Sequence, residues 1–130
     1  MGFTHRFNAT YQAGNEAAIG SVVEVTGESE ANLSGISVAA ASPDTQVILG
    51  LRAAGLKTLY ILSDKDLTVE TNDGTTPDDT ISVKANVPYL WSLASGVTCP
   101  ITVDVVDVFL TNTGTGTATV HIRALQDATP

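Results

Sequence analysis

Apolar and polar residues alternate with a period of two along most of the chain, the spacing that turns one face of a β-strand to a core and the other to water. At the start, Phe3, His5, Phe7, Ala9 and Tyr11 fall on one face and Thr4, Arg6, Asn8 and Thr10 on the other, which predicts a half-buried strand. Gly14 and Asn15 follow, with room for a short helical turn through Ala17 and Ala18. From Val22 the pattern sets Val23, Val25, Ala31 and Leu33 against Glu24, Thr26, Glu28 and Glu30, one long strand broken by a bulge at Gly27. Residues 45–51 and 56–62 are denser apolar runs and read as inner strands joined through Ala53, Ala54 and Gly55.

Leu67 and Val69 alternate with Thr68 and Glu70 ahead of a turn signal at Asp73-Gly74. Ile81, Val83 and Ala85 mark a further strand, and Pro88, Tyr89, Leu90 and Trp91 a strand or turn. Ile101, Val103 and Val105 start one phase and Val106, Val108 and Leu110 continue in the other, so a bulge is expected near Val105. The loop from Asn112 to Gly116 reads as a hairpin, with Ala118, Val120, Ile122 and Ala124 buried on the strand that follows. About eight or nine short strands with turn signals roughly every ten residues describe one all-β domain over residues 1–130, a two-sheet antiparallel sandwich. With the first strand placed beside the last, and with no Cys-Trp-Cys framework, a jelly-roll type is expected over an immunoglobulin-like one.

Composition agrees with sheet and narrows the function classes. Hydrophobic residues make up 43% and charged ones 15%, which fits a folded domain with a weakly charged surface and excludes a disordered tail. Fourteen acidic against six basic residues give a net charge of −8, so the chain should repel nucleic acid and anionic lipid. The single Cys99 excludes an internal disulfide and a multi-thiolate metal site. No stretch approaches the roughly 18 apolar residues of a membrane helix, and no charged segment followed by an apolar run opens the chain, so a soluble protein made in the cytoplasm is expected.

Groups able to carry catalysis are few: His5, His121, Cys99 and scattered carboxylates, none in a nucleophile, phosphate or metal motif. His5 lies on the apolar face of its strand and His121 on the face opposite Val120 and Ile122; Cys99, before Pro100 and without a basic neighbour, is expected to be inert. Asp64, Asp66, Glu70, Asp73, Asp78 and Asp79 form the one charge cluster, but their spacing departs from a calcium loop, and solvated loops and a protected edge are the expectation. Trp91, with Tyr89 and Phe109, is expected to be a core or interface anchor, the rival being a sugar-stacking platform. No catalytic, cofactor-binding or metal-binding residue is therefore assigned, and the chain is expected not to be an enzyme.

The block from Leu56 through Ser63-Asp64 to Thr71-Asn72-Asp73, followed by Pro77 to Val83 and by Pro88-Tyr-Leu-Trp91, resembles small virion proteins of tailed bacteriophages. In those proteins a strand ending in Ser-Asp, an alternating strand ending in Thr-Asn and a Pro-x-x-Trp segment recur in that order. The resemblance implies a jelly-roll capsid decoration (cement) protein, or a related head or tail component, on the outside of the virion. It implies the major capsid protein and copies of the chain itself as partners, in a small symmetric oligomer such as a trimer, with no nucleic acid, membrane or cofactor. The short polar ends, residues 1–7 and 125–130, are the expected contact segments, with Phe3, His5, Phe7, Gln126 and Asp127 as candidate contacts. A carbohydrate-binding module at a virion surface is the alternative.

Overall fold

A computed structural model describes residues 2–127 and is all-β, with ten strands among them. These are Phe3–Tyr11 (β1), Ile19–Gly27 (β2), Ser29–Val38 (β3), Ser42–Leu51 (β4), Leu56–Ser63 (β5), Leu67–Thr71 (β6), Thr80–Val83 (β7), Tyr89–Ser92 (β8), Val105–Asn112 (β9) and Ala118–Gln126 (β10). Eight of them form two four-stranded antiparallel sheets, ordered β3-β10-β5-β8 and β4-β9-β6-β7, while β1 and β2 pair only with each other. β3 pairs with β10, β4 with β9, β5 with β8 and β6 with β7, so the eight strands form nested pairs. Such nesting is the pattern of one long hairpin rolled until its halves face each other. Every connection from β3 to β10 except β6–β7 passes from one sheet to the other.

The core lies between the sheets and is built from the inward faces that alternation marks. Leu59 and Ile61 of β5, Val69 of β6, Val108 and Leu110 of β9, and Val120 and Ile122 of β10 are all 3% exposed or less. β-Branched and leucine side chains dominate, the residue types that suit a pleated, packed surface.

Four expectations change. The strand beside the last is β3, not the first, because β1 leaves the body as half of a hairpin arm. Ten strands replace eight or nine, since the segment expected as one long strand is two strands in different sheets. The break at Gly27 is a pivot and not a bulge: a Cβ there would lie 2.8 Å from Leu125 Cγ, and Glu28 N–H donates to Gln126 O at 3.0 Å as the chain turns onto the body.

The expected final hairpin is a corner between sheets, because β9 pairs with β4 and β6 whereas β10 pairs with β3 and β5. Asn112 makes the corner. Its side chain, fully buried, donates to Val38 O, Ala39 O and Gly116 O and accepts from Gly114 N–H, which ties the ends of β3 and β9 to the loop. In β9, Val105 and Val108 are buried but Val106 is 69% exposed, so the phase change falls across Val106, opposite the register shift between Ile48 and Leu51 of β4.

Candidate functional site

The acidic stretch resolves into separate loop clasps. Asp64 accepts from Thr119 N–H at 2.8 Å, Asp66 from Ala85 N–H at 2.9 Å, and Asp79 from both the N–H and the hydroxyl of Thr102 at 2.8 Å. Asn72, at φ 66°, donates to Asp78 and to Asp104 O and accepts from Val106 N–H. Asp64, Asp66 and Asp79 thus each face a different backbone amide, and the described residues hold no group of three or more His, Cys, Asp or Glu placed to share a metal ion.

Asp73 accepts from Thr75 N–H at 2.7 Å and from Thr76 N–H at 3.2 Å, a side chain standing in for a turn. These amide bonds, Thr75 first, favour the carboxylate and lower its pKa below the usual 3.8. A depressed folded-state pKa adds stability above the unfolded value and loses it as pH falls through the folded one. Asp73→Ala is therefore expected to lower the melting temperature slightly at pH 7, with the gap to the parent closing as pH drops below 3.8, followed by circular dichroism.

Trp91 is 4% exposed and its indole N–H donates to Val97 O at 2.9 Å. Ser92 caps the short 3-10 turn at Leu93–Ser95 that carries the chain to that carbonyl, and Gly96 ends it in the left-handed region at φ 76°. The ring is thus an anchor under a loop and presents no face for a sugar. Tyr89 and Phe109 are half-buried. Burial pushes the Tyr89 phenol above its usual pKa of 10.0, and Cys99 nearby adds to the shift. Cys99 is a free thiol packed against the core, and His121 Nδ1 accepts from Gly35 N–H at 3.2 Å.

A groove of about 1020 Å³ opens between the arm and the outer face of the β3-β10-β5-β8 sheet. Residues 4–10 of β1 form one wall; Glu30, Asn32, Tyr60, Leu90 and Arg123 belong to the other. His5 bridges the two, sharing a 2.7 Å hydrogen bond with Glu30. Lys57 Nζ holds the base of the arm at Thr26 O, 2.9 Å away. Arg123 is fixed by donating to Leu33 O and to the Ser34 hydroxyl at 2.6 Å.

Of the expected contact residues, Phe3, His5 and Phe7 sit on this arm. Phe3 is 40% exposed, and His5 and Phe7 are half-buried beside the groove. Gln126 is instead used inside the body: it is 9% exposed, accepts from Arg52 N–H at 2.7 Å and donates to Gly50 O at 3.1 Å. Asp127 is half-buried, pairs with Lys57 Nζ at 3.3 Å and donates its N–H to Gly55 O. The C-terminal contact segment therefore loses Leu125, Gln126 and Asp127 to the fold, and residue 1 and residues 128–130 lie outside the described residues. Tyr60, Leu90 and Arg123 were not singled out from the sequence, although Tyr60 between buried Leu59 and Ile61 is on the outward face by simple alternation.

The two sheets differ in charge. Strands β4, β6, β7 and β9 and the loops at residues 72–79 and 100–104 carry Asp44, Glu70, Asp73, Asp78, Asp79, Asp104 and Asp107 and no Lys or Arg. The arm and the other sheet mix Arg6, Lys57 and Arg123 with Glu24 and Glu30.

No family model, curated protein or solved structure matches the chain.

Proposed function

We propose that the chain is a non-catalytic structural subunit of a bacteriophage virion, a capsid decoration protein that binds the outer surface of the head and also contacts copies of itself. The observation that carries the reading is the arm: a two-stranded ribbon with Phe3, Tyr11, Ile19 and Val22 between 40% and 72% exposed. A two-stranded hairpin is marginal in water by itself, and Tyr11 directly opposite Ile19 leaves an exposed apolar pair at the tip of the ribbon for another molecule to cover. The nested strand order supports the reading, since we take it as a jelly roll, an architecture used by viral capsid domains. So does the resemblance over residues 56–91. The charge difference gives an orientation, with the acidic β4-β9-β6-β7 sheet towards solvent and the arm side towards neighbours, because like-charged faces repel.

Incubated with shells assembled from the major capsid protein of the phage that encodes it, the chain is expected to co-sediment to a saturable occupancy, and a version lacking residues 1–6 to reach a lower one. Full occupancy by the shortened chain would exclude the arm from the contact. No co-sedimentation of the intact chain would overturn the capsid assignment.

A further inference from the structure

The outer edge of β1 has no strand partner among the described residues. It is nine residues long, holds no proline, and carries one charge, Arg6. An open edge of this kind presents a row of unpaired amide and carbonyl groups, a template that natural proteins usually blunt or cover. The groove lies along this edge: consecutive residues 4–10, from both faces of β1, line it, so the strand stands edge-on to the opening.

The sequence of β1 is self-complementary. Antiparallel pairing of the strand with a second copy of itself, centred on Phe7, sets Phe3 against Tyr11, Thr4 against Thr10, His5 against Ala9, Arg6 against Asn8, and Phe7 against its own counterpart. Aromatic on aromatic and threonine on threonine are among the favourable cross-strand pairs, and no like charges meet. Neighbouring registers lose this. A shift of one residue opposes Phe3 to Thr10 or Phe7 to Asn8, and it moves every side chain to the other face. Recentring on Arg6 sets two guanidinium groups against each other.

We infer that β1 is a two-fold self-association strand: the arms of two copies pair edge to edge about Phe7, and β2-β1-β1-β2 becomes one four-stranded sheet. A second copy is the occupant because only the same strand supplies the mirrored order of residues, and because a two-fold contact must match each residue i to j and j to i. Each incoming strand lies in the groove of the other copy and covers Tyr60 and Leu90, of which Leu90 is 39% exposed. The contact gives a dimer, or joins higher oligomers in pairs, in solution as well as on a shell. It rests on strand pairing and not on the capsid assignment, so a chain that fails to bind shells leaves it standing.

Disulfide trapping reads the register. In an antiparallel pair, directly opposed Cα atoms are about 4.5 or 5.5 Å apart, within the roughly 4.4–6.8 Å that a disulfide spans. In a Cys99→Ser background, Phe7→Cys is expected to oxidise to a linked dimer, since position 7 opposes itself. Thr10→Cys is expected to stay unlinked, its two copies being six residues out of step, or roughly 20 Å. Should Phe7→Cys impair folding, a mixture of Thr4→Cys and Thr10→Cys chains tests the same register and is expected to give the mixed dimer. The unmodified chain should scatter light at an even multiple of its own mass. A monomer or a lone trimer in solution, linkage of Thr10→Cys alone as efficient as that of Phe7→Cys, or no linkage in either Phe7→Cys or the mixture would overturn the pairing.

Discussion

Asn112→Asp is expected to unfold the protein near neutral pH, the largest effect of any change of similar size in the chain. The Asn112 amide group donates to Val38 O and Ala39 O at 3.2 Å and to Gly116 O at 2.9 Å, in a site with no solvent exposure. An ionised aspartate has no hydrogen to give and sets its charge against those same three carbonyls. Each orphaned buried group costs about 1–3 kcal/mol, and an unpaired buried charge more. The total is about 5 kcal/mol or more, comparable with the whole stability of a typical domain. Asn112→Ala orphans the carbonyls without adding charge and should lose about 3–4 kcal/mol.

The two variants separate with pH. Burial among carbonyls raises the pKa of the new carboxyl above its unfolded value of about 3.9. Its stability is then highest below that value and is lost as pH rises through the folded one. Urea denaturation should therefore place Asn112→Asp close to Asn112→Ala at pH 4 and well below it at pH 7. Equal midpoints at both pH values would mean that the corner does not depend on the amide donors.

Asn112 also shows where sequence reading stops. Period-two alternation identifies which side chains point inward, and it located β5, β6, β7 and β10 to within a residue or two, because one face of each packs on the core. Alternation is silent on which strand a given strand hydrogen-bonds to. The loop at residues 113–117 has hairpin chemistry, Gly and Thr, yet it joins two sheets, because the side chain of Asn112, the last residue of β9, bonds to the end of β3 and to the loop and not across a ladder. Gly27 is similar: its glycine marks a special position in either reading, and only the pairing of β2 with β1 and of β3 with β10 tells a pivot from a bulge.

The candidate site was half legible for the same reason. Phe3, His5 and Phe7 could be picked because they lie on a short polar end of the chain, whereas the other groove wall needs the pairing of β10 between β3 and β5 before Arg123 and Tyr60 come together. Gln126 and Asp127 looked like a polar tail by composition. Their backbone and side-chain bonds to Gly50, Arg52 and Gly55 make them the last rungs of the body.

Ile122→Ala is expected to cost about 3–4 kcal/mol, and comparison with the arm shows whether fold and assembly are separable. Ile122 has no solvent exposure and lies at the middle of β10, opposite Leu33 of β3 on one side and Ile61 of β5 on the other. The void between the sheets that it lines with Leu49, Leu59, Val69 and Val108 is only about 10 Å³. That is about the size of a single water-sized probe, so the core has little slack with which to absorb a truncation. The lost atoms leave a dry cavity, and the neighbouring strands, each held by ladders on β10, cannot close it. Ile122→Val, which removes one methyl group, should cost about 0.5–1.5 kcal/mol. Both should shift the urea midpoint and leave the m-value unchanged, as expected when the core loosens without a change in the surface exposed on unfolding. Ile19→Ala removes the same atoms from a side chain that is 71% exposed on the arm, so at one fixed chain concentration it should change the midpoint by less than about 0.5 kcal/mol. A loss at Ile19 as large as that at Ile122 would mean that the arm is part of the folding core, and the division between a self-sufficient sandwich and a ribbon reserved for neighbours would fail.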